Sequence, residues 1–145
     1  MTAGAFETAR GTVHAWQCDH MGHANLRVYG EFFEQALWHV FQRVGITPSV
    51  LRGDAIRMAG VQQNIAYRKE LLPGDLIFVR SNLVELRERT LKMAHEMVHV
   101  ESGEICAVCE LTTVCLDMQS RKPRAFPPEI AARARQLLKG EAHES

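Results

Sequence analysis

The sequence predicts an α+β fold in which an antiparallel β-sheet wraps around one long central helix. Two observations carry this prediction. Between about residues 27 and 44, apolar residues recur every three or four positions on more than one side, which is typical of a largely buried helix. Four long strand-like runs then follow one another with turn signals between them. A single buried helix is covered most simply by a sheet that curls around it.

The elements follow in order along the chain. Residues 1–10 are predicted to be an N-terminal extension, and residues 11–18 a short strand. The central helix should end at Gly45, since glycine adopts the left-handed cap conformation readily and Pro48 prevents continuation. Residues 47–54 are predicted to form a loop with at most a short helical turn. The strand-like runs are residues 56–69, 76–86, 90–100 and 105–118, and residues 130–138 form a closing helix.

Length and charge limit the possible functions. A chain of 145 residues favours one domain, here residues 1–145, with residues 128–145 as a C-terminal helix and tail. Seventeen Lys and Arg balance seventeen Asp and Glu, so no net charge indicates nucleic acid or a membrane surface as a partner. The sequence shows no signal-peptide pattern and no apolar run of bilayer length. We therefore expect a cytoplasmic protein, and the near-zero charge is consistent with an oligomer.

The four cysteines are predicted to be reduced thiols in the core. Cys106 and Cys109 have the Cys-x-x-Cys spacing of redox and zinc sites, but they lie inside a strand-like run with no second pair nearby. The chain is also too long and too rich in core residues to need a disulfide framework. Free cysteine is among the residue types most often buried, which favours the structural interpretation.

The most informative segment is the turn Asp19-His20-Met21-Gly22-His23-Ala24-Asn25, which directly precedes the central helix. A carboxylate that faces backbone N–H groups at a helix start could attack a substrate or activate water while those groups hold a developing oxyanion. The same carboxylate could instead accept backbone hydrogen bonds in the turn or cap the helix. Asp19, His20 and His23 could also bind a metal, although the spacing is tight and no fourth ligand stands out.

The neighbours of Asp19 have their own candidate roles. Gly22 provides either a positive φ or a close approach to a ligand, and Asn25 is placed to cap the helix. His23 could orient water, contact Asp19 or substrate, or fix the loop through backbone bonds, whereas His20 is more simply structural or exposed. Glu34 lies on the central helix, where a buried carboxylate needs partners or a wet site.

These residues resemble a known family. A strand that ends in Asp-x-x-Gly-His-x-Asn, followed by a helix with Tyr two residues after an Arg, resembles the hotdog-fold acyl-CoA thioesterases of the 4-hydroxybenzoyl-CoA thioesterase type. The match here is Cys18 to Asn25 and then Val28-Tyr29, with softer matches at Glu34-Gln35-Ala36, Tyr67-Arg68-Lys69-Glu70 and Pro73-Gly74-Asp75. The resemblance covers roughly residues 10–120.

The resemblance implies a fold, an assembly and a reaction. The fold is the hotdog fold, and the subunits pair their sheets side by side into dimers or tetramers with active sites at the interface. The implied activity is hydrolysis of an acyl-CoA thioester without a cofactor or metal, coenzyme A being part of the substrate. A hotdog hydratase or dehydratase, and an acyl-CoA-binding protein without catalysis, remain alternatives, and the acyl group is open.

The resemblance also assigns roles to individual residues. The family's catalytic Asp maps onto Asp19, as nucleophile or general base, and makes catalysis the favoured interpretation, with His23 in support. The oxyanion-holding N–H groups map onto Leu26 and Arg27. Some relatives place a His or Tyr where this chain has Leu26, so a side-chain contribution is lost there while a backbone donor remains. Glu34 becomes a secondary candidate, because one hotdog group uses a helix carboxylate as its catalyst.

Further residues are implied in substrate binding. Tyr29 is expected to pack under the site with its hydroxyl bonded across the subunit interface. Cationic side chains would bind the phosphates of coenzyme A. The family places nucleotide contacts near the connection between two strands that here carries Arg87, Arg89 and Lys92. The full set of expected substrate-binding residues is Gly22, Asn25, Tyr29, Glu34, Arg87, Arg89 and Lys92. Arg121, Lys122 and Arg124 form a second basic group.

Overall fold

The central helix α1 spans Leu26–Val44 and begins and ends at the capping residues that the sequence predicts. Asn25 precedes it in an extended conformation and accepts a hydrogen bond from the backbone of Arg27. Gly45 ends it with φ +88°, in the left-handed region that favours glycine. The computed structural model describes residues 4–53 and 56–140. Parts of the predicted extension and tail, residues 1–3 and 141–145, lie outside that range.

Five strands and two shorter helices surround α1. The strands are β1 (Phe6–Thr12), β2 (Ile56–Tyr67), β3 (Leu76–Leu86), β4 (Thr90–His99) and β5 (Ile105–Asp117). The helices are α2 (Pro48–Gly53) and α3 (Pro128–Leu138), and a short 3-10 helix covers Ala15–Gln17. The strands form one antiparallel sheet in the order β1-β3-β4-β5-β2. The four long strands and the central helix therefore agree with the prediction to within about two residues.

The N-terminal prediction is wrong in its boundaries. Residues 6–10 belong to β1 rather than to an extension, and residues 15–17 form the 3-10 helix rather than the end of a strand. The physical reason is a register shift between Glu7 and Ala9, where β1 pairs with β3. This bulge buries the consecutive residues Thr8 and Ala9, so the segment lacks the alternation by which a strand is identified from sequence.

The core lies between the buried face of α1 and the inner face of the sheet. Tyr29, Phe33, Ala36 and Val40 on α1 are buried, and alternate residues of β4 are buried as well. The helix lies over β1 and β3, which leaves the opposite edge strand, β2, largely exposed from Gly60 to Asn64. The sheet therefore has one edge covered by the helix layer and one long open edge.

The two ends of the sheet carry different connections. The first, called here the Asp75 end, holds the β2–β3 connection (residues 68–75) and the β4–β5 hairpin (residues 100–104). The second, called the Arg89 end, holds the β3–β4 connection (residues 87–89) and the segment after β5. An 11-residue strand such as β3 separates the ends by roughly 35 Å.

Three of the four cysteines are buried, as predicted, and all four are free thiols. Burial raises the pKa of Cys106 to about 11 and that of Cys109 to about 12. Both side chains belong to the hydrophobic core, and a register shift in the β4–β5 pairing leaves Cys106 as the extra residue between Ile105 and Ala107. Cys18 is half-buried, directly before Asp19.

A polar chain crosses the core beneath α1. The Thr8 hydroxyl lies 2.7 Å from the Ser81 hydroxyl, which lies 2.5 Å from Nδ1 of His95. His95 is buried on β4 and stacks on Phe33 with ring centres 5.8 Å apart. Its Nε2 has no hydrogen-bond partner among residues 4–53 and 56–140. Burial lowers the pKa of His95 to about 4, so the ring is neutral at physiological pH.

Acidification is expected to destabilise the fold through His95. His95 takes up a proton near pH 6.5 in the unfolded state and near pH 4 in the folded state. The folding free energy that depends on a neutral His95 is therefore fully present above pH 6.5 and is lost as the pH falls toward 4. We expect a loss of about 2 kcal/mol by about pH 5. Urea unfolding at several pH values measures this loss. The free energy of unfolding should depend less on pH in His95→Gln than in wild type, whereas the exposed control His14→Gln should keep the wild-type pH dependence. Equal slopes for His95→Gln and wild type would contradict the assignment.

Candidate active site

The Asp19 turn is closed by backbone hydrogen bonds. The Asp19 N–H donates to the His23 carbonyl (3.1 Å), and the Gly22 N–H donates to the Asp19 carbonyl (3.0 Å). Gly22 has φ +83°, which meets the predicted need for glycine. The half-buried Asp19 carboxylate accepts the Met21 N–H through Oδ1 at 2.9 Å. Its second oxygen has no hydrogen-bond partner within the described part of the chain, so one oxygen fixes the group and the other remains available.

At the start of α1, the two expected oxyanion donors differ in their hydrogen bonding. Asn25 Oδ1 accepts the Arg27 N–H at 3.0 Å, which confirms the predicted cap and engages that donor. The Leu26 N–H has no partner in residues 4–53 and 56–140, and the Leu26 side chain is exposed. Of these two N–H groups only that of Leu26 is unpaired among the described residues, and the positive end of the helix dipole also acts there. The N–H of Arg27 is already engaged by Asn25.

The β2–β3 connection holds the turn and the helix in place. The Ala24 N–H donates to the carbonyl of the buried Leu71 at 2.8 Å. The Tyr29 hydroxyl donates to the Lys69 carbonyl at 2.8 Å, and its ring meets Tyr67 edge-on at 5.1 Å. Burial raises the pKa of Tyr29 to about 12. The Tyr29 hydroxyl is thus bonded within its own chain, not across an interface as the resemblance implied.

Asp75 ties this connection to the end of β4. Its carboxylate accepts the Leu72 N–H at 2.8 Å and lies 3.2 Å from Nε2 of His99. Nδ1 of His99 accepts the Ser102 N–H at 3.2 Å, so a neutral His99 carries its proton on the side of Asp75. Burial acts to raise the pKa of Asp75, but the hydrogen bonds from Leu72 and His99 and the charges of His99 and Lys69 outweigh it and lower that pKa.

The two histidines of the turn do not bond to Asp19. Nδ1 of His23 lies 3.3 Å from the Ala24 carbonyl, and its Nε2 lies 3.9 Å from the Glu70 carboxylate. His20 is exposed. These contacts favour the loop-fixing interpretation of His23. No group of three or more His, Cys, Asp or Glu side chains in the described ranges is arranged to hold a metal ion.

The remaining expected residues lie apart from the turn. Glu34 is exposed on α1 rather than buried. Arg87 pairs with Glu85 at 3.0 Å, and Lys92 pairs with Glu110 at 3.0 Å. Both basic positions, together with Arg89, lie toward the Arg89 end of the sheet. Within one chain the structure therefore does not bring the expected nucleotide contacts to Asp19.

The two basic groups of the sequence meet at that end. The Cys115 N–H donates to the Arg89 carbonyl at 2.8 Å, and the Arg124 N–H donates to the Cys115 carbonyl at 2.9 Å. Asp117 closes the intervening turn by accepting the N–H groups of Gln119 and Ser120. Along the chain the two groups are at least 29 positions apart, so no local sequence pattern joins them.

Sequence reasoning missed the residues that support the turn. In the sequence, Asp75 stands out only as part of the soft match Pro73-Gly74-Asp75, and His99 belongs to none of the matched motifs. Their pairing depends on where two connections meet in space. The signal available was the spacing of His95 and His99, which places two imidazoles on the buried face of one strand.

A family model described as the thioesterase-like superfamily matches residues 13–134. The chain belongs to this superfamily. The predicted reaction class, thioester hydrolysis, is thereby confirmed, and the matched span contains the Asp19 turn, α1 and every strand of the sheet except β1. The long-chain acyl-CoA thioesterase FadM of Escherichia coli is 25% identical over 127 residues, which are 88% of this chain and 96% of FadM.

Solved structures confirm the hotdog fold. A Staphylococcus aureus protein in complex with CoA superposes with a TM-score of 0.87 at 17% identity, covering 99% of this chain and 89% of that one. A 1,4-dihydroxy-2-naphthoyl-CoA thioesterase from Synechocystis superposes with a TM-score of 0.80 at 15% identity, covering 92% and 97%. In the described ranges no helix is long and apolar enough to cross a membrane.

Removing the Asp75 carboxylate is expected to loosen the Asp19 turn. Asp75→Ala leaves the Leu72 N–H and His99 without their acceptor, which should lower the free energy of unfolding by roughly 2 kcal/mol. Hydrogen exchange at the Ala24 amide should become faster, because its acceptor Leu71 lies in the loosened connection. Asp75→Asn is the matched control, since its amide oxygen can still accept from Leu72. Unchanged protection of Ala24 in Asp75→Ala would contradict this coupling.

Proposed function

We propose that this protein hydrolyses an acyl-CoA thioester to a carboxylic acid and coenzyme A, with Asp19 as nucleophile or general base. The observation that carries the proposal is the position and bonding of the Asp19 carboxylate. One of its oxygens accepts the Met21 N–H, and the other has no partner among the described residues. The carboxylate lies in the turn that precedes the unpaired N–H at the start of α1. The names of relatives support the substrate, since FadM is a long-chain acyl-CoA thioesterase and a structural neighbour binds CoA.

The chemistry follows two possible routes from the same geometry. In the first, an Asp19 oxygen attacks the thioester carbonyl, the carbon–sulfur bond breaks, coenzyme A leaves as a thiolate, and water hydrolyses the mixed anhydride. In the second, Asp19 takes a proton from water as that water attacks the carbonyl, the carbon–sulfur bond then breaks, and the leaving coenzyme A thiolate takes up the proton. In both, the Leu26 N–H and the α1 dipole stabilise the negative charge on the carbonyl oxygen. The Arg27 N–H takes no part, because Asn25 engages it.

The surface around Asp19 favours an apolar acyl group. Trp16, Met21 and Leu26, which bracket Asp19 in the chain, are 78%, 68% and 60% exposed. Exposed large apolar side chains that lie within a few residues of one another are what an acyl-binding surface requires. An acyl chain that covers them would gain about 25 cal/mol for each Å² of apolar area removed from water.

The open edge of the sheet supports a homodimer of single-domain subunits. A long exposed edge strand presents unpaired backbone groups that favour pairing with another strand. In β2 the residues from Gly60 to Asn64 are exposed, with Val61 at 60%. Pairing of β2 with the same strand of a second copy would bury this edge in a closed two-fold arrangement. A tetramer would then be formed from two such dimers.

This pairing would complete the active site. Two copies of one strand related by a two-fold axis run antiparallel, so the Ile56 end of one lies beside the Tyr67 end of the other. Ile56 pairs with Asp117 at the Arg89 end of the sheet, and Tyr67 contacts Tyr29 below the Asp19 turn. The Arg89 and Arg124 side chains of the second copy would therefore approach Asp19 of the first, where they could bind coenzyme A phosphates.

Replacing the Asp19 carboxylate tests the catalytic assignment. Asp19→Asn keeps an oxygen for Met21 but cannot attack or deprotonate, so kcat should fall at least about 100-fold. Loss of the thioester ultraviolet absorbance measures it over a panel of acyl-CoAs. Asp117→Asn, another turn aspartate that accepts backbone N–H groups, is the matched control and should retain activity. Equal activity of Asp19→Asn and wild type would refute the role of Asp19, and binding without hydrolysis by wild type would indicate a non-catalytic protein.

Subunit mixing tests the composite site. Asp19→Asn should lower kcat, and the double variant Arg89→Glu/Arg124→Glu should raise KM. Co-expressed heterodimers contain one intact site, so an equal mixture should recover about a quarter of wild-type activity. Adding Val61→Asp to both chains should block the recovery by disrupting the β2 edge. Activity equal to the mean of the two parents would show that each chain builds its site alone.

A further inference from the structure

A second cavity lies at the end of α1 that is remote from Asp19. It has a volume of about 500 Å³ and is bounded by the start of β1, the last turns of α1 and the middle of α3. Its lining is mostly polar. The side chains that the argument uses are Arg43, Arg133, His39, Gln42 and Phe6.

Arg43 is oriented by an aromatic ring. Its guanidinium carbon lies 4.2 Å from the ring centre of Phe6, the first residue of β1. The face of an aromatic ring attracts a guanidinium at this distance and so restricts where the Arg43 side chain lies. No carboxylate of the described residues lies within ion-pair distance of Arg43. The ring of Phe6 thus holds the guanidinium at the cavity, where the described part of the chain offers its N–H donors no carboxylate.

Arg133 reaches the cavity from a different element. It lies on α3, and its Nη1 lies 3.2 Å from the position that a Cβ at Gly45 would occupy. It too lacks a carboxylate partner in residues 4–53 and 56–140. Glu7 also lines the cavity, but Arg10 satisfies its two oxygens at 2.6 and 3.1 Å. Within residues 4–53 and 56–140, the cavity therefore carries two positive charges from separate helices that no carboxylate pairs with.

We propose that this cavity binds the phosphate group of a small phosphate ester. Two guanidinium groups provide forked N–H donors that match phosphate oxygens, and His39 and Gln42 add polar partners beside them. The C-terminal end of α1 carries about half a negative charge, which the two full positive charges exceed. The volume lies in the usual range for small-molecule sites and exceeds the size of inorganic phosphate, so an organic portion would fill the rest.

This site is separate from the proposed acyl-CoA site. Asp19 precedes the first residue of α1, and Arg43 lies in the last turn, about 28 Å away along a 19-residue helix. The cavity also adjoins β1, whereas the open edge proposed for dimerisation is β2, on the other side of the sheet. A ligand here could bind while the acyl-CoA site is occupied.

Calorimetric titration of the full-length protein with pyrophosphate, and separately with AMP, tests the proposal. We expect one saturable site per chain, tighter for AMP if the organic portion is held. Arg43→Gln and Arg133→Gln should each weaken binding about tenfold or more, as expected for lost hydrogen bonds to a charged group. Arg135→Gln, on α3 but outside the lining, is the matched control and should bind normally. Binding should persist in Asp19→Asn and in the presence of saturating coenzyme A.

Three results would overturn the proposal. They are the absence of saturable binding by either probe, equal weakening in Arg135→Gln, and displacement by coenzyme A at the Asp19 site. If Arg43→Gln does not fold, as judged by circular dichroism, Arg43→Lys replaces it. Lysine keeps the charge and loses the fork, so undiminished affinity in that variant would count against phosphate recognition by Arg43.

Discussion

The hydrogen bond from the Ala24 N–H to the Leu71 carbonyl is the contact on which the candidate site depends. It joins the Asp19 turn, which has little hydrophobic core of its own, to a fully buried residue of the β2–β3 connection. Tyr29 reinforces the same junction one helical turn later, and Asp75 with His99 fixes the connection from the other side. A carboxylate in an exposed turn is thereby held on a rigid support, as catalytic groups require.

The fold and the position of the site follow from local patterns, whereas its support does not. The buried helix, its caps at Asn25 and Gly45, and the four long strands each have a short-range signal, and each is found in the structure. The start of β1 was missed because the bulge at Glu7 and Ala9 removes the alternation that marks a strand.

Long-range contacts explain the other differences. The engagement of the Arg27 N–H by Asn25 could be anticipated from the helix cap. The bond from Tyr29 to Lys69 within one chain depends on how the 39 residues between them fold. The meeting of Arg89 and Arg124 is of the same kind, since it needs the register of β4 and β5. The balanced total charge gave no hint that basic residues collect at one end of the sheet.

The distribution of the cysteines has a practical consequence for any assay of this protein. Cys106, Cys109 and Cys115 are buried with raised pKa values, whereas Cys18 is half-buried and adjoins Asp19. A colorimetric thiol reagent added to follow coenzyme A release would encounter Cys18 first and attach a bulky group to the residue before Asp19. Such an assay would alter the Asp19 turn while it measured the release, and Cys18→Ser would provide the form of the protein in which that chemistry can be used.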